Sequence, residues 1–161
     1  MMPHCAQRAS RGSRQSMCIE VMRIFLDTNV LLDVYLKRDG AGASGKIISA
    51  CGEPWNEGLV AMHTLSNAFY IIEHQQTRAD AWDFIRDVLA WAVVAGVSTD
   101  GARRTMNLQM KDFEDALQVV AAESSGAEVI VTRNLKDFTG KTAIPIMLPE
   151  NFQDQPPIAS P

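Results

Sequence analysis

A chain of 161 residues, 47% hydrophobic and 21% charged, fits one soluble globular domain with a core that needs no disulfide or metal to hold it. The net charge of −4 weighs against a nucleic-acid partner without excluding one, since acids clustered around a bound cation distort such a count. Three scattered cysteines, and no apolar run near the roughly 20 residues that span a bilayer, favour a reducing, cytoplasmic setting without a membrane anchor.

The first 22 residues differ from the rest of the chain. Three arginines between Arg8 and Arg14 alternate with Ser and Gly, and no apolar stretch follows them as it does in a secretory signal. We therefore predict that residues 1–22 are a disordered extension or a start-codon artefact, with the true start at Met17 or Met22.

We predict that the remainder divides into a domain at residues 23–152 and an extended Pro-rich tail at 153–161. Apolar runs predict strands near residues 23–26, 59–62, 94–97, 128–132 and 144–147. Helical periodicity predicts helices near residues 30–36, 46–50, 65–75, 79–94, 100–109 and 112–124, with a Gly-rich link at 40–45. This alternation predicts a three-layer α/β sandwich, in which helices flank a central, mainly parallel sheet of about five strands.

The helix at residues 112–124 is predicted to be buried nearly all round. Phe113 belongs to one apolar stripe, and Asp115 shares the other side with Val119 and Ala122. Burying an aspartate is costly unless it is paired or bound to metal. Asp115 is therefore a better site candidate than an ordinary surface acid.

Polar residues follow two predicted strands where each strand ends. Asp27, Thr28 and Asn29 follow the first strand, and Thr132, Arg133, Asn134 and then Asp137 follow the fourth. In open parallel sheets, sites form at the carboxyl ends of the strands. The helix that begins near Asp112 opens at the same edge if it leads back into the fourth strand.

Each acid also has a purely structural interpretation. Asp27 is equally placed to cap the first helix, and Asp137 to cap a loop. Asp112 suits an N-cap with Asp115 as its capping-box partner. Four further polar residues are most simply structural or solvated: His63, Glu73, Arg103 and Arg104.

Two long motifs resemble the PIN domain family, which includes the VapC toxins of toxin–antitoxin pairs. FLDTNVLLDVYLKR is similar to the opening motif, and KDFEDALQVVAAESSGAEVIVTRNLKDF to the later motifs joined in order. IPIMLPENF resembles the usual last strand and its Pro-Glu-x-Phe ending. The resemblance covers about residues 22–152. Either motif alone is a weak signal, but the two in order are specific.

The resemblance implies a sheet sandwiched by helices, with acids that bind Mg²⁺ or Mn²⁺ for endonucleolytic cleavage of single-stranded or looped RNA. By position, Asp27 is the first metal-binding acid and Asp115 another. Asn134 stands at the position where the family often has a fourth acid. Asp137, three residues further on, can take its place or orient it. The resemblance also implies a homodimer and, for a toxin, a small antitoxin that covers the acidic cleft.

Asn67, within HTLSNAFYII, stands where the family usually has a catalytic Glu, although one bacterial subgroup carries Asn there. Glu73 is no simple substitute, because six residues along a helix turn it about 240° round the axis. With amides at Asn67 and Asn134, metal affinity should fall. Because Mg²⁺ is usually held by few carboxylates plus water and phosphate, metal binding can wait for the RNA.

The hypothesis for the chemistry is metal-assisted hydrolysis, with the metal held by Asp27 and Asp115. Asn67, Asn134 and Thr132 would orient waters or ligands, and Thr132 and Asn29 fall where the family keeps small polar groups near the metal. Four basic residues are hypothesised to hold the RNA backbone: Arg103, Arg104, Arg133 and Lys136.

Two rival functions remain. A haloacid-dehalogenase-like phosphatase also has an Asp after a strand, but it needs a second Asp two residues on, and position 29 is Asn. A degenerate PIN fold that binds RNA or a protein without cutting is the rival from another class, favoured by the two amides.

Overall fold

The computed structural model describes residues 21–154. Nearly all of the predicted N-terminal extension, and the predicted tail beyond Asp154, lie outside the described residues. At the N-terminal boundary, Met22 already belongs to the first strand.

Within residues 21–154, five parallel strands form one sheet in the order β3-β2-β1-β4-β5. The strands are β1 (Met22–Leu26), β2 (Asn56–Ala61), β3 (Ala92–Ala95), β4 (Val129–Val131) and β5 (Ile146–Met147). The central strand β1 aligns Phe25 with Leu59 on one side and with Ile130 on the other. Such strands are covered on both faces, which explains their continuous apolar runs. The α/β prediction is confirmed.

Helices fill both layers over the sheet. They are α1 (Thr28–Tyr35), α2 (Ala41–Ala50), α3 (Met62–Gln75), α4 (Arg78–Leu89), α5 (Thr99–Thr105), α6 (Phe113–Ser124) and α7 (Leu135–Phe138), followed by a 3-10 turn at Pro149–Asn151. Helix α4 ends before β3, so the helix predicted to reach residue 94 is too long by five residues. Gly126, just past α6, has φ +69°, a left-handed conformation that suits glycine at a helix end.

The link predicted at residues 40–45 is wrong, because α2 begins at Ala41. Ser44, Ile47 and Ala50 recur at helical spacing and are buried. Their burial outweighs the poor helix propensity of the glycines. Helix α2 packs against α1, and a Cβ on Gly45 would make an ordinary van der Waals contact with Val34 Cγ2, at 3.9 Å.

Two apolar clusters lie on opposite faces of the sheet. Ile24 and Leu26 point into the cluster that α1 to α4 cover, and Phe25 points into the one that α6 and α7 cover. Helix α6 buries Val119 and its neighbours, but Phe113 is 64% exposed. The prediction that α6 is buried all round is thus wrong in its first turn, which faces a cleft instead of the sheet.

No helix formed by residues 21–154 combines the length and the apolar character that crossing a membrane requires.

Candidate active site

The site is built where β1 and β4 end side by side. The backbone N–H of Asp27, the first residue after β1, donates to Val131 O at 3.0 Å. This contact places Asp27 beside Thr132, the first residue after β4, and Thr132 Oγ1 donates to Asp27 Oδ2 at 2.7 Å. Two residues that are 105 positions apart in sequence thus share one end of the sheet.

Gln118 of α6 completes the surroundings of Asp27. Its Nε2 donates to Asp27 Oδ1 at 2.9 Å, so both carboxylate oxygens of Asp27 accept a hydrogen bond. Burial raises the pKa of Asp27, and the bonds from Gln118 and Thr132 oppose that shift. Gln118 Oε1 is buried without a hydrogen-bond partner among the described residues.

Sequence reasoning missed Gln118, although a signal was available. Gln118 lies three residues after Asp115, on the same face of α6. A buried amide on the face that carries a site acid is a candidate partner for another acid.

Asp112 is the N-cap of α6, as its structural interpretation predicts. Its Oδ1 accepts from the backbone N–H groups of Glu114, at 2.7 Å, and Asp115, at 3.3 Å. Asp112 therefore fixes the first turn of α6, from which Glu114 and Asp115 reach the cleft.

Asp115 is half-buried and surrounded by other acids. Burial raises its pKa to about 7, and the negative charges of Asp27, Asp112, Asp137 and Glu114 add to the increase. This repulsion is the strongest electrostatic sign that the site favours a positive charge.

One cleft of about 750 Å³ gathers most of the predicted site. The predicted residues that line it are Asp27, Asn29, Asn67, Asp112, Asp115, Asn134 and Asp137. Thr132 lies buried behind Asp27. Asn134 Nδ2 donates to Asp137 Oδ2, so this amide orients the neighbouring acid. Among the residues that the structure describes, no lysine, arginine or histidine lines the cleft.

Glu114 is a second cleft residue that sequence reasoning missed. Its Oε1 accepts from Thr28 Oγ1 at 3.1 Å, and Thr28 Oγ1 lies 3.0 Å from Thr64 Oγ1. Glu114 thus ties α6 to the start of α1 and adds another carboxylate to the cleft.

Arg133, which was predicted to hold RNA, is not among the residues that line the cleft. Its Nε donates to Asp33 Oδ2 at 2.6 Å, and its Nη2 donates to Gly40 O at 2.8 Å and to Ser44 Oγ at 3.0 Å. Its Nη1 pairs with Glu150. Arg133 therefore joins α1, α2 and the C-terminal turn.

The other predicted RNA contacts also lie outside the cleft lining. Arg103 pairs with Asp100 at 2.8 Å, Arg104 pairs with Glu123, and Lys136 is exposed. Arg38, which sequence reasoning did not single out, reaches the cleft rim, where its Nη1 donates to Asn29 Oδ1 at 3.3 Å.

The donors in the cleft suit a divalent cation. Carboxylate and amide oxygens are the ligands that Mg²⁺ and Mn²⁺ prefer, and a cation would relieve the repulsion around Asp115. Within residues 21–154, no three acids, histidines or cysteines are grouped closely enough to hold a metal ion by themselves. Water or a phosphate would therefore have to complete the coordination.

Comparison with known families gives one match. The profile described as PIN domain matches residues 23–136. A search of curated proteins finds no match.

Several solved structures share the fold. VapC20 of Mycobacterium tuberculosis, described as a sarcin–ricin loop cleaving toxin, is 14% identical, with a TM-score of 0.57 over 66% of this chain and 86% of that one. A toxin–antitoxin complex from Klebsiella pneumoniae is 23% identical, with a TM-score of 0.59, and the match covers 78% of this chain and 97% of that one. VapBC2 from Rickettsia felis, bound to a promoter DNA fragment, is 15% identical, with a TM-score of 0.64, and the match covers 79% of this chain and 98% of that one.

Proposed function

The chain belongs to the PIN domain family, and on that basis we propose that it is a divalent-metal-dependent endoribonuclease, the toxin of a type II toxin–antitoxin pair. It would hydrolyse phosphodiester bonds of RNA in the cleft at the carboxyl edge of the sheet. The solved relatives described as toxins or toxin–antitoxin complexes support this assignment at the level of the fold.

The observation that carries the proposal is the set of acids in the cleft. Asp27, Asp115 and Asp137 line one cavity without a lysine, arginine or histidine in its described lining, and their mutual repulsion contributes to the raised pKa of Asp115. A divalent cation neutralises such a cluster, and an RNA phosphate supplies the missing ligands.

The residues divide the work according to their surroundings. A bound Mg²⁺ or Mn²⁺ would activate water and stabilise charge on the phosphate. Asp27 is held in one orientation by Gln118 and Thr132, and would be the fixed ligand. Asp115 and Asp137 are less buried and would complete the acidic set, while Asn67 and Asn134 would orient water.

The proposed substrate is RNA with unpaired nucleotides, because bases inside an A-form helix are poorly accessible to a protein cleft. The toxin assignment also implies two partners. A small antitoxin would cover the cleft, and a second copy of the chain would form a homodimer in the cytoplasm.

The test is Mn²⁺-dependent cleavage of a pool of structured RNAs by the full chain. Asp27→Asn and Asp115→Asn should each reduce the rate by at least about 100-fold, while the exposed control Asp100→Asn should cut like the wild type. Chelation by EDTA should stop the reaction. Cleavage that survives both site substitutions would mean a contaminant or a different site.

A second candidate function is a PIN domain that binds RNA or a protein without cutting. Asn67 and Asn134, at two positions where the family usually has acids, favour it. Asn67 would also place the chain in a bacterial subgroup with Asn in place of the second acid. Mn²⁺ binding by a folded wild type that cuts no RNA would separate this alternative from the enzyme.

A further inference from the structure

Tyr70 is an exposed aromatic ring in the wall of the acidic cleft. It follows Asn67 by three residues on α3, so the two side chains share one helix face. Both line the cleft together with Asp27 and Asp115. The Tyr70 side chain is 61% exposed. The ring is therefore accessible from the space that would hold the scissile phosphate.

His74 holds the Tyr70 ring in place. The two ring centroids are 4.0 Å apart with an angle of 41° between the planes, and His74 Nδ1 is bonded to Tyr70 O at 2.8 Å. A ring that is already packed against a neighbour loses less conformational freedom when a ligand stacks on it.

The charges in the cleft favour base contacts over phosphate contacts. The described lining contains no cationic side chain, and Arg38 only reaches the rim at Asn29. RNA phosphates therefore find few ion pairs inside the cleft. The face of a base is uncharged and stacks on an aromatic ring whatever the sequence. Ile71, the next residue on α3, adds apolar surface to the cleft lining.

We propose that Tyr70, braced by His74, stacks an unpaired RNA base beside the phosphodiester bond that lies over Asp27 and Asp115. This inference rests on the proposed ribonuclease function and adds a binding subsite to it. Only an unpaired base can leave its own stack to reach the ring, so Tyr70 selects single-stranded or looped RNA.

The test measures RNA affinity by fluorescence anisotropy with a short, labelled, unstructured oligoadenylate in Mg²⁺. All variants keep the acids that would hold the metal, and gel analysis of each freshly mixed sample checks that the oligoadenylate stays intact during the titration. Tyr70→Leu should weaken binding by about 5- to 150-fold, the usual range for loss of one base–aromatic stack. Tyr70→Phe keeps the ring and should stay within about twofold of its parent. Trp82→Leu removes a ring that is 57% exposed on α4 and should change nothing.

An abasic ribose-phosphate oligomer of the same length separates stacking from a general effect on the cleft. Tyr70→Leu and its parent should bind this oligomer equally, because it has no base to stack. If Tyr70→Leu binds oligoadenylate as tightly as its parent while the wild type still cuts RNA, the stacking subsite is overturned and the ribonuclease function stands. The exposed Tyr70 ring would then be assigned to contact with a protein partner. A wild type that neither binds nor cuts RNA overturns both.

Discussion

Gln118 Nε2 donates a hydrogen bond of 2.9 Å to Asp27 Oδ1, which links the middle of α6 to the end of β1. The two side chains are 1% and 2% exposed, so neither can turn to water instead. Gln118→Met keeps a similar volume but removes the donor. We expect it to lower the free energy of unfolding at neutral pH by about 1 kcal/mol, because Asp27 loses a buried donor, while removal of the unpartnered Gln118 Oε1 offsets part of that cost.

Denaturant unfolding without metal measures this loss. Gln75→Met, at the exposed end of α3, is the matched control and should stay within about 0.5 kcal/mol of the wild type. Equal stability of Gln118→Met and the control would show that Asp27 does not depend on this bond.

Asp115 should make stability fall as the pH rises. Its pKa is raised from 3.8 to about 7 in the folded state, so between these values the folded protein holds a proton that the unfolded chain has released. Without metal, the free energy of unfolding should therefore decrease from about pH 4 to about pH 7 and then level off with respect to this group.

Asp115→Asn cannot ionise and should lose less stability across the same pH window. The two unfolding curves should diverge between about pH 4 and about pH 7. Asp83→Asn, which removes an exposed acid on α4, should follow the wild type. Parallel curves for the wild type and Asp115→Asn would contradict the raised pKa.

The ends of β1 and β4 were predictable because polar residues directly follow apolar runs. Parallel strands place Asp27 and Thr132 at one edge of the sheet, and the helix pattern singled out Asp115. Gln118 shares a helix face with Asp115, which makes it a candidate, but its partner lies 91 positions away in sequence. Only tertiary contact assigns it to Asp27.

The sequence places Arg133 beside the predicted site, whereas in the structure its side chain pairs with Asp33 and Glu150. A cation next to a predicted active site suggests a phosphate contact, but its partner Asp33 lies 100 positions away in α1. Residues 40–45 were misassigned for a related reason, since glycines predict a loop unless packing is known. In both cases the residue type alone suggested one environment, an exposed phosphate contact or a loop, and packing against α1 produced another.

Mn²⁺ should stabilise the wild type against unfolding. A ligand at about 100 times its dissociation constant adds about 2.7 kcal/mol. Asp27→Asn and Asp115→Asn should lose most of this gain, and Asp100→Asn should keep it. Thermal unfolding with and without Mn²⁺ measures the metal-induced difference within each variant, so changes in the metal-free stability cancel.

The gain from Mn²⁺ should also grow from about pH 5.5 to about pH 8, because protons compete with the metal for Asp115. A gain that is the same in the wild type and in both site variants would place the ion elsewhere.

Arg133→Met should destabilise the fold by about 3 kcal/mol, because Asp33 is left as a buried, unpaired charge. Asp33 is 6% exposed, which leaves little water to replace the guanidinium. Arg103→Met, which breaks an exposed pair on α5, should cost less than about 1 kcal/mol. Denaturant unfolding compares the two variants directly.

The salt dependence of RNA binding tests the structural role of Arg133 separately. A phosphate contact would lower the slope of log affinity against log salt by about 1 when removed. For folded Arg133→Met we expect the wild-type slope, since the guanidinium faces α1 and α2. A reduced slope would show that Arg133 contacts an RNA phosphate.

Asn134→Asp should strengthen metal binding and weaken the metal-free fold. The amide of Asn134 donates to Asp137 Oδ2, so a carboxylate there turns an attraction into a repulsion between two acids. Without metal, the loss should be about 1 kcal/mol, because both groups remain partly solvated. With Mn²⁺, the added charge and oxygen donor should lower the dissociation constant by about tenfold.

Calorimetric titration with Mn²⁺ measures the affinity, and denaturant unfolding in EDTA measures the metal-free stability. Asn107→Asp, outside the cleft lining, is the control for a general effect of one more negative charge and should leave the Mn²⁺ affinity within about twofold. If Asn134→Asp binds Mn²⁺ no better than this control, Asn134 and Asp137 lie outside the coordination sphere, and the metal depends on Asp27 and Asp115 alone.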